Sequence, residues 1–401
     1  MWDSIASTSS SDANWIQRPG ILTELDHYQR AWVEVSPAAI TSNARTLVKK
    51  LNAGCCLMAV VKADGYGHGA VTVARAAITG GASQLGVATL PEGIQLRQAN
   101  LQVPILVLGN LTHVEELRAC LHWRLMPSFS GIREALLCQS LAADSGRRMA
   151  TQLKLDTGMA RLGCAWQEAP QLIRAIRQLR DLDLVGVYSH LALAEARLGS
   201  SEEITTLQQQ RCFEEVTRSF QASAGGFCCH LANSAATLRS QLFHYDMVRV
   251  GLALYGYAPA PHLETEATDL KPALAIKAKV TLIRDVPAGT GVSYGHHYVT
   301  TRASRLAVVA IGYADGVSRA LSGRISVLSQ GHKLPQVGVI TMDQLLIDST
   351  DHPSLDIGST VTLLGHEGDQ EIALRDWSNH AGLIPWEVLC GFRHRLPRLE
   401  V

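Results

Sequence analysis

The chain has 401 residues, 47% of them apolar and 18% charged, so it is long enough for two or three domains and rich enough in apolar side chains to pack them. Thirty-six basic residues balance thirty-six acidic ones, and with no long basic run nucleic acid and anionic membranes are disfavoured as partners. The apolar stretches Cys55–Val61 and Ile105–Leu111 fall well short of the roughly twenty residues that a membrane helix needs.

Residues 1–27 read as a polar N-terminal extension. It is Ser-rich to about Pro19, has no basic residue before Arg18 and has no apolar segment of signal-peptide type, which predicts a cytoplasmic chain. From Trp32 onward, short apolar runs alternate with stretches of helical period, the pattern of parallel strands joined by crossover helices. Eight runs are predicted as strands: Leu57–Val61, Gln84–Ala88, Ile105–Leu108, Arg124–Pro127, Gln152–Leu155, Leu184–Tyr188, Phe227–Leu231 and Met247–Val250. Pro91–Gln98 and Ala169–Leu179 are amphipathic and predict helices between them. Eight such units predict an α/β fold, a closed (β/α)8 barrel of the TIM type over residues 28–270. After Pro272 the pattern becomes alternating and β-branched, broken by Gly and Pro, at Ala278–Arg284, Leu306–Gly312, Gln336–Ile347 and Thr360–Leu364. This predicts a C-terminal, mostly antiparallel β domain over residues 271–401, with a helix at Leu374–Ala381. The nine cysteines contain no C-x-x-C pair and read as reduced, buried thiols with no metal.

The chemistry-bearing residues follow the predicted strands. Lys62 ends the first run and enters the glycine-dense Ala63–Gly69 loop. A lysine there is either a solvated strand end or a desolvated Schiff-base nucleophile. The glycines are spaced G-x-G-x-G, so the dinucleotide fingerprint G-x-G-x-x-G is not met and they fit close backbone approach instead. Lys154 and Arg161 flank the end of the fifth run, His190 follows the sixth, Asn233 and Ser234 the seventh, and Arg249 and Gly251 end the eighth. Each alone is more often structural than catalytic. Together they fall on the one face where barrel active sites form, with small polar and glycine positions after strands seven and eight, where barrels bind phosphate. A lysine beside a phosphate cup points to pyridoxal phosphate.

The blocks Val61–Gly69, Leu153–Gly163, Ala232–Ala235, Arg249–Gly251, Val292–Gly295, Gly312–Gly316 and Thr341–Gln344 together resemble the alanine racemase family, in order and spacing, from about Arg30 to Arg398. That resemblance implies the interconversion of L- and D-alanine on pyridoxal 5'-phosphate, supplying D-alanine for peptidoglycan. It also implies a homodimer whose two sites are each completed by the partner's second domain. Residue by residue, it makes Lys62 the cofactor-bearing lysine and one base, and Tyr294 the opposing base from the other chain. His190 tunes Tyr294 and is linked onward to Arg249, the partner of the pyridine nitrogen. Tyr66, Ser234 and Gly251 become the phosphate cradle, and Asn233 a further cofactor contact. Arg161 becomes the substrate-carboxylate residue, supported by Lys154, which is often carbamylated in the family. Met342 offers backbone to the carboxylate, and Tyr313 and Asp343 stand at the entrance. His394, counted with the cofactor contacts, replaces a tyrosine common in the family; Val339 replaces an arginine and Thr341 a cysteine.

Three other readings compete. A cofactor-homeostasis protein shares the barrel but lacks a second domain, and a decarboxylase would want an acid in place of Arg249. A serine or broad-specificity racemase differs by pocket contacts of only about 1–3 kcal/mol.

Overall fold

The computed structural model describes residues 29–221 and 226–401, and the polar extension expected at residues 1–27 lies outside them. Two compact units are present. One comprises Val35–Leu274 with the last two residues, and the other Ala275–Leu399 with the described residues up to Glu34.

The first unit is the barrel. Its strands are β1 (Cys56–Val60), β2 (Gln84–Val87), β3 (Ile105–Asn110), β4 (Met126–Phe129), β5 (Met149–Asp156), β6 (Leu182–Tyr188), β7 (Cys228–His230) and β8 (Met247–Val250). Every neighbouring pair is parallel, and β8 pairs with β1 through Met247–Cys56 to Val250–Ala59, which closes the ring. Closure leaves no strand edge unpaired. Near-continuous burial along β1, β4 and β8 follows from parallel strands covered on both faces. Met58, Leu106, Met126, Tyr188 and Met247 pack together in the barrel core.

The fourth strand starts two residues later than the sequence predicts. Arg124 takes a left-handed conformation (φ 53°) that caps helix Val114–Trp123 and so cannot begin a strand. The helix ahead of the first barrel strand, Pro37–Lys50, starts where capping chemistry says it should. Ser36 Oγ accepts from Ala39 N, Pro37 stands in the first turn, and Ala39, Ile40, Ala44 and Leu47 turn one apolar face inward.

The second unit is built on one nine-stranded sheet. Leu274–Val286 pairs antiparallel with Ser304–Val309 on one side and with Thr360–Glu367 on the other, so six of the strands close on themselves. Strand Ala31–Val35 lies in this sheet between Leu274–Val286 and Arg398–Glu400. The barrel had been expected to begin at residue 28, but this strand alternates buried and half-buried positions, the pattern of a sheet with one wetter face rather than of a barrel strand. The run Gln336–Ile347 is likewise two strands, His332–Val337 and Leu345–Asp348. Gly338 (φ 69°) and a tight turn at Thr341–Gln344 interrupt it. Helix Leu374–Ala381 stands where expected.

Of the nine cysteines, only Cys120, Cys138, Cys164 and Cys229 are buried, while Cys56 is exposed and the others are intermediate, which corrects the expectation of buried thiols throughout. Among the described residues, no helix is long and apolar enough to cross a membrane.

Candidate active site

Lys62 stands two residues past β1 and is half-buried. Behind it the backbone does something few L-residues do: Ala63, Asp64, Gly65 and Tyr66 are successively left-handed, with φ between 50° and 61°. Such a turn costs roughly 1–2 kcal/mol for each non-glycine residue, so it must be held from outside. Gly65 N donates to Val61 O at 2.9 Å, Gly67 N to Ala63 O at 3.1 Å, and Gly69 N to Asp64 O at 2.9 Å. Asp64 Oδ1 accepts from Ala70 N at 2.9 Å. Glu92 closes the set, its carboxylate accepting from Ala63 N and Ala88 N, both at 2.7 Å, and from Thr89 N at 3.1 Å. One acid thereby fixes the end of β2, the start of helix Leu90–Gln98 and the residue after Lys62.

The left-handed turn delivers Tyr66 into the unit, where it is buried and stacks on Tyr255 with ring centroids 4.8 Å apart. Tyr255 is pinned in turn by donating its hydroxyl to Val60 O at 3.0 Å. Gly251, just past β8, must lack a side chain, since a Cβ there would lie 2.4 Å from Tyr66 Oη. Ser234 Oγ accepts from Gly251 N at 3.1 Å and from Ala253 N at 3.3 Å, while Asn233 caps helix Ser234–Arg239 by accepting from Ala236 N. The Ser234 and Tyr66 hydroxyls thus lie beside Gly251, and the Gly251 and Ala253 amides, both spent on Ser234 Oγ, leave that hydroxyl its own proton to donate. This donor set, with a glycine where a Cβ would intrude, fits a phosphate monoester.

Arg249 on β8 is buried. Its Nη1 donates to His230 Nδ1 and His230 O, both at 3.0 Å, and its Nη2 to Ser189 O (2.7 Å), His190 Nδ1 (3.1 Å) and Leu231 O (3.1 Å). A guanidinium only donates, so both imidazoles accept at Nδ1 and carry their proton on Nε2. His230 Nε2–H donates to Gln152 Oε1 at 2.8 Å. Burial lowers Arg249 to about 10, which still leaves it charged at neutral pH. Burial and then the Arg249 charge hold both His190 and His230 well below the usual histidine range, so both are neutral there.

Lys154 on β5 is buried and lowered to about 8, first by desolvation and then by Arg249, Arg161 and Lys62. Both Lys154 Nζ and the Arg249 guanidinium face the ring of buried Tyr188, at 5.5 Å and 5.2 Å from its centroid. The other contacts of Tyr188 fix that platform. It stacks on His230 at 4.8 Å and donates to Ser128 Oγ at 2.7 Å, because Ser128 spends its own proton on Val107 O. Arg161 is exposed on the loop after β5 and acts electrostatically on both Lys154 and His190. Asp156 fixes that loop by accepting from Gly158 N, Met159 N and Ala160 N.

The barrel rim thus brings together Lys62, Tyr66, Lys154, Arg161, His190, Asn233, Ser234, Arg249 and Gly251. Tyr294, Tyr313, Met342, Asp343 and His394 lie in the other unit, all exposed there. Tyr294 follows Ser293, whose left-handed backbone (φ 61°) is tied by its hydroxyl to Val339 O at 2.7 Å. Sequence reasoning missed Glu92, Gln152, Tyr188 and His230 as supports. Only Glu92 had a usable local signal, the Thr89–Glu92 spacing of a capping box ahead of a helix.

The family model for the N-terminal domain of alanine racemase matches residues 35–259, and that for the C-terminal domain residues 273–400. An alanine racemase of Prochlorococcus marinus is 55% identical over 95% of this chain and 98% of its own. The crystal structure of alanine racemase from Streptomyces lavendulae superposes with a TM-score of 0.86 at 36% identity, covering 93% of this chain and 97% of that one. The structure from Bartonella henselae, described with covalently bound pyridoxal phosphate, gives a TM-score of 0.79 at 31% identity over 93% and 100%. The chain belongs to the alanine racemase family.

The cradle makes a direct prediction. Gly251→Ala drives a methyl group into Tyr66 Oη, so if the cradle holds the phosphate of pyridoxal phosphate, affinity measured by titrating the cofactor-free chain with it should fall by about tenfold or more. Unchanged affinity would remove Gly251 and Tyr66 from the phosphate site.

Proposed function

We propose that this chain interconverts L- and D-alanine with pyridoxal 5'-phosphate bound at the barrel rim. Lys62 holds the cofactor covalently, with Tyr66, Ser234 and Gly251 toward its phosphate and Asn233 and His394 as further cofactor contacts. When bound, the cofactor supplies an electron sink for the pair left at Cα as the proton departs. Lys62 takes or returns the Cα proton on one face and Tyr294 on the other, and two bases on opposite faces suffice to invert the centre. Arg161 with Lys154 receives the substrate carboxylate, Met342 offers its backbone to the same group, and Tyr313 and Asp343 line the entrance.

The observation that carries the reading is Arg249. Its five contacts go to carbonyl oxygens and imidazole nitrogens, and it stays charged at neutral pH. Facing a pyridine nitrogen it donates and never yields a proton, so the ring stays unprotonated and a weak sink. A weak sink suits racemisation, in which the proton returns to the carbon it left, and disfavours transamination. The same guanidinium fixes His190 with its proton on Nε2, the form that can hydrogen-bond the Tyr294 phenol.

Lys154 is proposed to carry a carbamate. Lowered to about 8, about a tenth of its amine is neutral at pH 7 and free to bond carbon dioxide, releasing a proton. The anion formed would answer the positive charge of Arg161, Arg249 and Lys62. A homodimer that brings Tyr294 to the partner's Lys62, and a role in supplying D-alanine for peptidoglycan, complete the proposal.

The test is chiral analysis of products from a panel of L-amino acids. Alanine should approach equal amounts of the two enantiomers fastest, with serine slower. Faster conversion of serine than of alanine would favour the broad-specificity reading, and no racemisation of any amino acid would overturn the proposal.

A further inference from the structure

We propose that Arg30, Asp315 and Arg395 form a positioning relay that sets the substrate-entrance residues Tyr313 and Met342, an inference resting on the assignment of those two residues to substrate binding. Asp315 is the hub. Its side chain is fully buried, yet it receives Arg30 as a two-pronged fork, Nη2 to Oδ1 at 2.6 Å and Nη1 to Oδ2 at 3.0 Å. Oδ2 also accepts from Gly312 N at 3.0 Å, and Arg395 Nε lies 3.5 Å from Oδ1. Arg30 Nη1 further donates to Ala310 O at 2.6 Å. A buried carboxylate needs such partners, and a bidentate guanidinium fixes its direction as well as its charge.

What the hub holds is the junction of two segments. Tyr313 N donates to Thr341 O at 2.9 Å and Ala314 N to Met342 O at 3.0 Å. Gly312 lets the backbones come this close, since a Cβ there would lie 2.3 Å from Thr341 O and 2.4 Å from Met342 O. Arg395 spans the junction, reaching Asp315 with Nε while Nη2 donates to Asp343 Oδ1 at 2.7 Å. The exposed side chains of Tyr313 and Met342 therefore project from a backbone whose position is set by a carboxylate beneath it and by arginines from both ends of the chain. The Arg395–Asp343 pair is exposed on both sides and contributes little to stability. Its geometric effect, joining the Met342–Asp343 turn to the hub, is the larger one.

The test compares Arg395→Ala, Arg395→Lys and Arg302→Ala in the cofactor-loaded full chain. Arg302 forms an exposed pair with Asp351 away from the relay and serves as control. Arg395→Ala should raise KM for alanine about tenfold with kcat within about twofold, the signature of lost binding common to ground and transition states. It should also speed hydrogen exchange at Tyr313 N and Ala314 N without lowering the unfolding temperature. Arg395→Lys, which keeps the charge but has one ammonium in place of the nitrogens that reach Asp315 and Asp343, should fall between wild type and Arg395→Ala, and Arg302→Ala should match wild type. Unchanged KM and exchange in Arg395→Ala, while Tyr313→Ala raises KM, would overturn the relay and leave the entrance assignment intact. Unchanged KM in Tyr313→Ala would overturn the entrance assignment and the relay with it.

Discussion

Lys62→Ala is expected to lower racemisation by at least about three orders of magnitude, because covalent attachment of the cofactor and one of the two bases disappear together. The loss should not reflect unfolding. Lys62 is half-buried at the rim, and the left-handed turn after it is held by backbone hydrogen bonds and by Glu92, none of which uses the lysine side chain. Circular dichroism should therefore be unchanged. Borohydride should no longer fix the cofactor to the protein, whereas the parent chain should be labelled. The charge at Lys62 is also one of those that depress His190, so His190 should titrate higher in the variant. A variant with near-normal turnover would contradict the assignment of Lys62 outright.

The barrel was legible because parallel strands are buried on both faces and read as uninterrupted apolar runs. All eight predicted runs begin within three residues of the observed strands. Rim residues were legible because strand ends are local features and a barrel places all of them on one face. What stayed hidden depends on distant partners. Nothing near Glu92 says that its carboxylate will reach Ala63, and nothing near Tyr188 says that two cations will share its ring. Gln152 is equally silent in the sequence, since its partner His230 lies 78 residues away. Arg30 and Arg395 lie 365 residues apart and meet at one buried carboxylate, a relation that periodicity does not carry.

Tyr294 belongs to the β unit and Lys62 to the barrel unit, and the proposal assigns them to one site built from two chains. Tyr294 is exposed on its unit, with 72% of its surface accessible, as befits a side chain that completes a site elsewhere. Tyr294→Phe keeps the ring and removes only the hydroxyl, so it should fold normally and lose most racemisation by losing one of the two bases. The most direct measurement of the central claim is to co-refold Lys62→Ala and Tyr294→Phe chains and assay the mixture. In a two-fold dimer with shared sites, a mixed dimer collects both lesions in one site and leaves the other intact. Activity should then rise well above either parent, to about a quarter of wild type if half the dimers are mixed. No recovery, with mixed dimers demonstrated in the sample, would place Tyr294 in its own chain's site or outside the reaction, and would contradict the account.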